Sequence, residues 1–202
     1  MKIINLTYFL ENKEKFKKLL LEWKTIIYPT DTIYWIWWVW NLCLEKIYDI
    51  KQRPQNKKVS IILPAKNIDN FIEKIQNISE NRINQKIIDK IKNYYKNKIW
   101  FTVIIKAKES FFSNLDNFWK AVYKDKSIWI RFLNHPFQDF VNHLGTEFIT
   151  SSANISGSKV ITSLDKLDKQ IKEKVDFWID WWILEKSAST IINSTNWEIL
   201  SR

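Results

Sequence analysis

The chain has 202 residues, 46% hydrophobic and 27% charged, a globular composition that excludes a disordered or collagen-like chain. No run of eighteen apolar residues allows a membrane-spanning helix, the opening MKIINLTYFLENKEKF lacks the apolar stretch of a signal peptide, and a lone Cys43 cannot pair internally, so a cytoplasmic protein is expected. The net charge of +10, from 32 basic and 22 acidic side chains, points to polyanionic partners, although a content rich in Lys, Asn and Ile is also what an AT-rich gene gives.

The predicted elements begin with a helix over 12–22, where Phe16, Leu19 and Leu20 recur at helical spacing. KTIIYP follows as a short buried strand ended by Pro29. Pro29-Thr30-Asp31-Thr32 favours a turn, because its hydroxyls and carboxylate compete for backbone groups, and the segment to Asn41 is expected to be a loop. NLCLEKIYDIKQR has Leu42, Leu44, Ile47, Tyr48 and Ile50 in helical rhythm and stops at Pro54. VSIILP is a strand, and helices over 68–78 and 85–95 carry charge runs that fit solvated faces. FTVIIKA and SIWIRF are strands, PFQDFVNHL a short helix, and EFITSSAN a strand ending in a polar turn. A helix over 163–174 precedes short strands at VDFWI, STIIN and EILS. This interleaving predicts an α/β (α+β) fold: one domain over 1–202, built on a twisted mixed sheet flanked by helices.

Trp occurs 12 times and Gly twice. Glycine near 7% of the chain would be roughly 14 residues, which is the sum of the two counts. The expectation is a gene that reads UGA as glycine but is translated here as Trp; the alternative is a Trp-rich protein. Taken literally, Trp35, Trp37, Trp38 and Trp40 put four indoles within six residues, each needing apolar cover and an N–H partner. With glycine the segment reads YPTDTIYGIGGVGN, a backbone able to approach a phosphate closely.

Other residues carry polar chemistry. Lys51 and Arg53 lie two apart, and Pro54 is expected to push Arg53 out of the helix so that both turn into one basic cleft suited to a triphosphate. A solvated helix end is the plainer alternative. Ser152 and Asn154, i and i+2 at a strand end, share a side and suit an acceptor-rich ligand, or are ordinary turn residues. Arg131 between Ile130 and Phe132 needs an anionic partner, a ligand phosphate or a carboxylate. Two histidines and one cysteine do not make a zinc motif. Cys43 and most aromatics are expected in the core, with Thr32 and Tyr34 beside the proposed cradle.

Tyr28 to Tyr34, followed by a position suited to glycine, resembles the opening motif of the YrdC/TsaC family, the threonylcarbamoyl-AMP synthases. Lys51-Gln52-Arg53-Pro54 with Lys57 is similar to that family's K-x-R motif, and Ser151 to Gly157 to its S-x-N motif. SIWIRF with His135-Pro136, IDWWILEKSASTIIN, LEWKTIIYPT and NWEILSR resemble further family segments if Trp129, Trp181, Trp182, Trp23 and Trp197 stand for glycine. Lys98 to Thr102 lacks two prolines of the pattern, and Leu133 and Ala188 also replace prolines.

The resemblance implies a YrdC-like fold with a basic cleft and an ATP-using nucleotidyltransferase. Such an enzyme converts L-threonine, bicarbonate or CO2, and ATP to threonylcarbamoyl-AMP and pyrophosphate, with Mg²⁺ as companion. Its product would pass to a tRNA-modifying transferase complex, with weak RNA contact and no membrane. On this resemblance Lys51 and Arg53 are catalytic; Lys51, Arg53, Arg131, Ser152, Asn154, Ser189 and Thr190 bind the nucleotide; and Thr30, Thr32, Tyr34, Lys57, Lys58 and His135 hold threonine. No side chains are assigned to a metal. The alternative class is a non-catalytic basic RNA-binding module using the same cleft, which the literal Trp run would suit.

Overall fold

The computed structural model describes residues 2–22, 24–39, 44–54, 57–113, 123, 125–181, 183–184, 189–196 and 198–200. Cys43, Trp23, Trp40, Trp119, Trp182, Ala188 and Trp197 lie outside them. The strands are β1 Lys2–Asn5, β2 Ile26–Pro29, β3 Tyr34–Val39, β4 Ser60–Ile62, β5 Phe101–Lys106, β6 Ser127–Arg131, β7 Phe148–Ser152, β8 Phe177–Asp180, β9 Thr190–Asn193 and β10 Ile199–Leu200. The helices are α1 Leu6–Glu11, α2 Lys13–Leu21, α3 Leu44–Lys51, α4 Ile68–Ile78, α5 Gln85–Lys96, α6 Glu109–Phe112, α7 Phe137–Leu144 and α8 Lys169–Lys174.

Local chemistry fixes several boundaries. Asn67 and Asn84 cap α4 and α5 by accepting from the backbone N–H of Asn70 (2.9 Å) and Lys86 (2.8 Å). Gly145, at φ +74°, closes α7. The helix expected over 163–174 is broken: a 3-10 turn over Leu164–Lys166 ends before Asp168, whose side chain caps α8 by accepting from Gln170 N–H at 2.8 Å. β1, α1 and α6 were not foreseen. They are four to six residues long, too short for hydrophobic periodicity to register.

Among the described residues, ten strands form one mixed sheet in the order β1-β8-β2-β3-β7-β4-β6-β5-β9-β10. Pairs β1/β8, β2/β8, β4/β6 and β5/β9 are parallel, and the remainder are antiparallel. The main correction concerns Tyr34–Val39, expected to be a loop. It is a strand held on both sides, Trp35 opposite Tyr28 of β2 and Ser152 of β7. The expected turn is present, with Thr30 N–H and Oγ1 both donating to Ile33 O, but it ends at Ile33, and from Tyr34 aromatic and β-branched residues take up the pleated surface between two ladders.

Alternation along each strand then divides the molecule. Ile26 and Tyr28 of β2, with Trp35 and Trp37 of β3, face a core closed by Leu6, Phe9, Phe16, Phe137 and Phe140 of α1, α2 and α7. Ile27, Tyr34 and Ile36 face the other side, against Ile50 of α3 and Ile171 of α8. Farther along, Ile61, Val103, Ile105, Ile128 and Ile130 pack under α4 and α5. Their strand neighbours Ser60, Ile104, Lys106, Ser127 and Trp129 share the face that carries Trp35 and Ser152, by cross-strand register. Helices seal that face over β2 and β8; toward β5, β6 and β9 it opens.

Candidate functional site

The open part of the sheet face is the floor of a cavity of about 800 Å³. Its polar lining is mainly basic: Arg53, Lys57, Lys58 and Lys106 against the single carboxylate of Asp125 among the described residues. Lys58 Nζ donates to Asp125 and to Ser127 Oγ, and Lys106 pairs with Glu80 at 3.1 Å. Ser60, Ser151 and Ser152 add hydroxyls, and Trp35 and Trp129 add aromatic surface. Such a lining suits an anion with many acceptor oxygens.

Lys51 and Arg53 do not turn into the cleft together. Gln52 between them takes φ +48°, a left-handed conformation that sends its neighbours to different places. Arg53 lines the cavity, its Nε donating to Lys57 O at 3.1 Å and its Nη2 to Lys58 O. The Tyr48 hydroxyl also donates to Lys57 O, so three groups brace the loop bearing Lys57 and Lys58. Lys51 is 1% exposed and lies beneath the turn after β7, donating to Ser152 O and, at 2.6 Å, to Asn154 O. Burial, with the Arg53 charge adding, pulls its ammonium down to about 7.

Ser152 is in the cavity lining; Asn154 is behind it. Asn154 Nδ2 donates to Ile155 O (3.0 Å) and Ser158 O (2.6 Å), which pins the turn, while Oδ1 is buried without a hydrogen-bond partner. Ser189 is buried with its Oγ 3.0 Å from Thr102 Oγ1, and Thr190 pairs with Phe101 in the sheet, so neither lines this cavity.

The residues expected around threonine separate into three places. Thr30 and His135 border a smaller cavity of about 300 Å³ with Asp31, Asn134, Trp100 and Trp181. His135 Nδ1 accepts from Phe137 N–H at 3.2 Å, and burial holds the imidazole down to about 4. Lys57 and Lys58 are in the larger cavity. Thr32 and Tyr34 are in the interior rather than beside a loop: Tyr34 donates to Asp180 at 3.3 Å and accepts from Trp181 N–H at 3.0 Å, and burial drives its phenol upward. Arg131 is fully buried and meets a carboxylate, Asp31, at 2.7 Å, with Thr32 Oγ1 at 3.4 Å and the Trp35 ring 4.5 Å from its Cζ.

Sequence reasoning missed Ser60, Ser127, Lys106 and Asn193 in the lining. Their only signal is a polar residue at an alternate position of an apolar strand, as in SIWIR and FTVIIK.

A mixed sheet with half of one face sealed by helices and half open beneath basic side chains defines an α/β protein with a basic cleft. Residues 18–202 match the Sua5_yciO_yrdC family, described as "Telomere recombination". The chain belongs to this family. It is 34% identical over 192 residues to a Methanocaldococcus jannaschii protein named "Putative threonylcarbamoyl-AMP synthase", covering 93% of this chain and 83% of that one. The P. abyssi Sua5 structure complexed with L-threonine superposes with a TM-score of 0.72 at 19% identity, over 98% of this chain and 56% of that one. E. coli YciO gives a TM-score of 0.66 at 18% identity, over 91% of this chain and 84% of that one. The chain thus spans a little over half the length of the Sua5 chain, and these superpositions show a shared fold.

Proposed function

We propose that the chain is an L-threonylcarbamoyladenylate synthase, a nucleotidyltransferase forming threonylcarbamoyl-AMP and pyrophosphate from L-threonine, bicarbonate or CO2, and ATP. The observation that carries this reading is the basic cavity over the open sheet face, in a chain 34% identical to a relative of that name. Its product serves threonylcarbamoyladenosine formation in tRNA, taken up by a tRNA-modifying transferase complex. No helix among the described residues is long and apolar enough to cross a membrane.

The chemistry asks for charge neutralisation and positioning. The threonine nitrogen attacks the carbon of CO2 and loses a proton, giving a carbamate. A carbamate oxygen attacks the α-phosphorus of ATP, and the bond to the bridging oxygen breaks to release pyrophosphate. Two anions meet in that step, so their repulsion is the barrier. Arg53, Lys57, Lys58 and Lys106 surround the cavity that takes the polyphosphate and stabilise the charge gathering on the leaving group. Ser151 and Ser152 orient the nucleotide, and Lys51 and Asn154 hold the turn that presents them. Thr30 and His135 are left to the amino acid, with neutral His135 able to hydrogen-bond without adding charge.

Among the described residues no three His, Cys, Asp or Glu stand together, and Asp125 is already engaged by Lys58. Mg²⁺, which the family resemblance implies as a companion of ATP, is given no protein ligand and no step here.

Pyrophosphate release from ATP tests the reading. Release should require both threonine and bicarbonate, and Arg53→Ala should lower it at least a hundredfold while circular dichroism shows the fold retained, the Tyr48 hydroxyl still holding Lys57 O. RNA binding that weakens steeply with salt, without threonine-dependent turnover, would instead support the non-catalytic module.

A further inference from the structure

The two neighbouring lysines of the larger cavity are held very differently. The Lys58 side chain is 15% exposed, and its Nζ donates to Asp125 Oδ1 and to Ser127 Oγ. Those acceptors are tied to each other: Ser127 N–H donates to Asp125 Oδ1 at 3.1 Å, and Ser127 Oγ–H donates to Oδ2 at 3.0 Å. An ammonium has three donors, so one is left for a ligand. The main chain beside it is fixed as well. Lys58 O accepts from Arg53 Nη2, and Val59 O accepts at 2.9 Å from the buried Tyr123 hydroxyl, whose ring lies 5.9 Å from Lys58 Nζ. Lys57 is exposed, and its ammonium has no hydrogen bond or ion pair among the described residues.

A carboxylate in a cavity lined by cations opposes anion binding by its charge, and an ion pair with an exposed partner adds little stability. Asp125 is better explained by what it orients. A loose lysine must be ordered at the moment an anion binds, whereas one already ordered spares that cost. On the reading that this cavity takes a polyphosphate, we propose that Asp125, with Ser127, is a positioning residue: it presets Lys58 so that the remaining ammonium N–H meets a phosphate-type oxygen, while Lys57 is the mobile cation of the two. Both lysines line the same cavity, as do Asp125 and Ser127, so the comparison between them is internal to one site.

Binding of inorganic pyrophosphate to the full chain is measured by calorimetry, for Lys58→Met and Lys57→Met in the parent and in Asp125→Ala, with circular dichroism on each variant. Lys58→Met should weaken binding roughly tenfold in the parent but less than about twofold in Asp125→Ala, where the ammonium is no longer held. Lys57→Met should cost the same in both backgrounds, because the lost carboxylate charge by itself shifts all variants alike. Asp125→Asn keeps an acceptor oxygen and should retain part of the Lys58 loss. Equal Lys58 losses in the parent and Asp125→Ala would overturn the inference, as would a Lys57 loss that falls just as far. A larger Lys58 loss in Asp125→Ala would also overturn it, by making the carboxylate a competitor for Lys58. A parent that binds no pyrophosphate overturns the polyphosphate reading and this inference together; a parent that binds it with unchanged Lys58 losses overturns the inference alone. If Asp125→Ala does not fold, Asp125→Asn decides by the same comparison. Lys58→Gln replaces Lys58→Met if that chain does not fold, and loss of the fold in both would overturn the inference by showing the ion pair to be required for folding.

Discussion

His135 shows how burial alone sets a protonation state. Its Nδ1 accepts from Phe137 N–H, which needs that nitrogen unprotonated, and desolvation holds the imidazole down to about 4. The unfolded chain takes the same proton near 6.5, so between these values it binds more protons than the folded chain. Stability conferred by the neutral ring is therefore complete above about 6.5 and is lost as pH falls toward 4. Urea unfolding at pH 7, 5 and 4 should show a loss on the order of 1–3 kcal/mol that His135→Asn lacks. The same pH dependence in both proteins would refute this role. The sequence flagged His135 through its neighbouring Pro136, but not its burial, which comes from neighbours distant along the chain.

At the scale of elements, α3 and the turn after β7 are one unit. The last residue of α3, Lys51, reaches two carbonyls more than a hundred positions away, and Ser156 N–H returns a bond to Lys51 O at 2.9 Å. Lys51→Met keeps the apolar stem but removes the ammonium's hydrogen bonds to Ser152 O and Asn154 O, of which Ser152 O keeps Asn154 N–H, an expected cost of about 1–3 kcal/mol. The parent's ammonium titrates near 7, below its unfolded value, so parent stability rises with pH from about 7 toward 10. The deficit of Lys51→Met should consequently be larger at pH 9 than at pH 7, as chemical denaturation can measure. An equal deficit at both would mean that the amine charge is not desolvated. The spacing of Lys51 and Arg53 was legible from the sequence as a basic pair. Their division between interior and cavity was not, because it turns on the left-handed backbone of Gln52.

For the molecule as a whole, the 12 Trp positions are the open physical question. Replacing all of them by glycine is expected to raise the melting temperature and the threonine-dependent ATP turnover, because an indole forced into a packed interior typically costs about 1–3 kcal/mol. Trp37 is the counterweight. Its ring is fully buried near Tyr28, Phe137 and Phe140, so in this packing Trp37→Gly alone should cost about 3–5 kcal/mol. A loss of that size that the twelvefold variant does not recover would overturn the glycine reading. The intact mass of the protein from its own cells gives an independent answer.

Apolar periodicity, caps and prolines determined most of the elements on their own, since these depend on neighbours within a turn or two of helix or strand. The helices Ile68–Ile78 and Gln85–Lys96 and the strands Phe101–Lys106 and Ser127–Arg131 were readable for that reason. Motif chemistry likewise marked Arg53, Lys57, Lys58 and Ser152, which do share one cavity. The tertiary structure decided the rest. It made Tyr34–Val39 a strand by giving it two partners, set Arg131 against Asp31 a hundred positions away, and placed Thr30 and His135 in a different cavity from Lys57 and Lys58. Cross-strand register put Trp35 and Ser152 on one face of the sheet with Ser60 and Trp129, and register is a property of paired strands that no single segment contains.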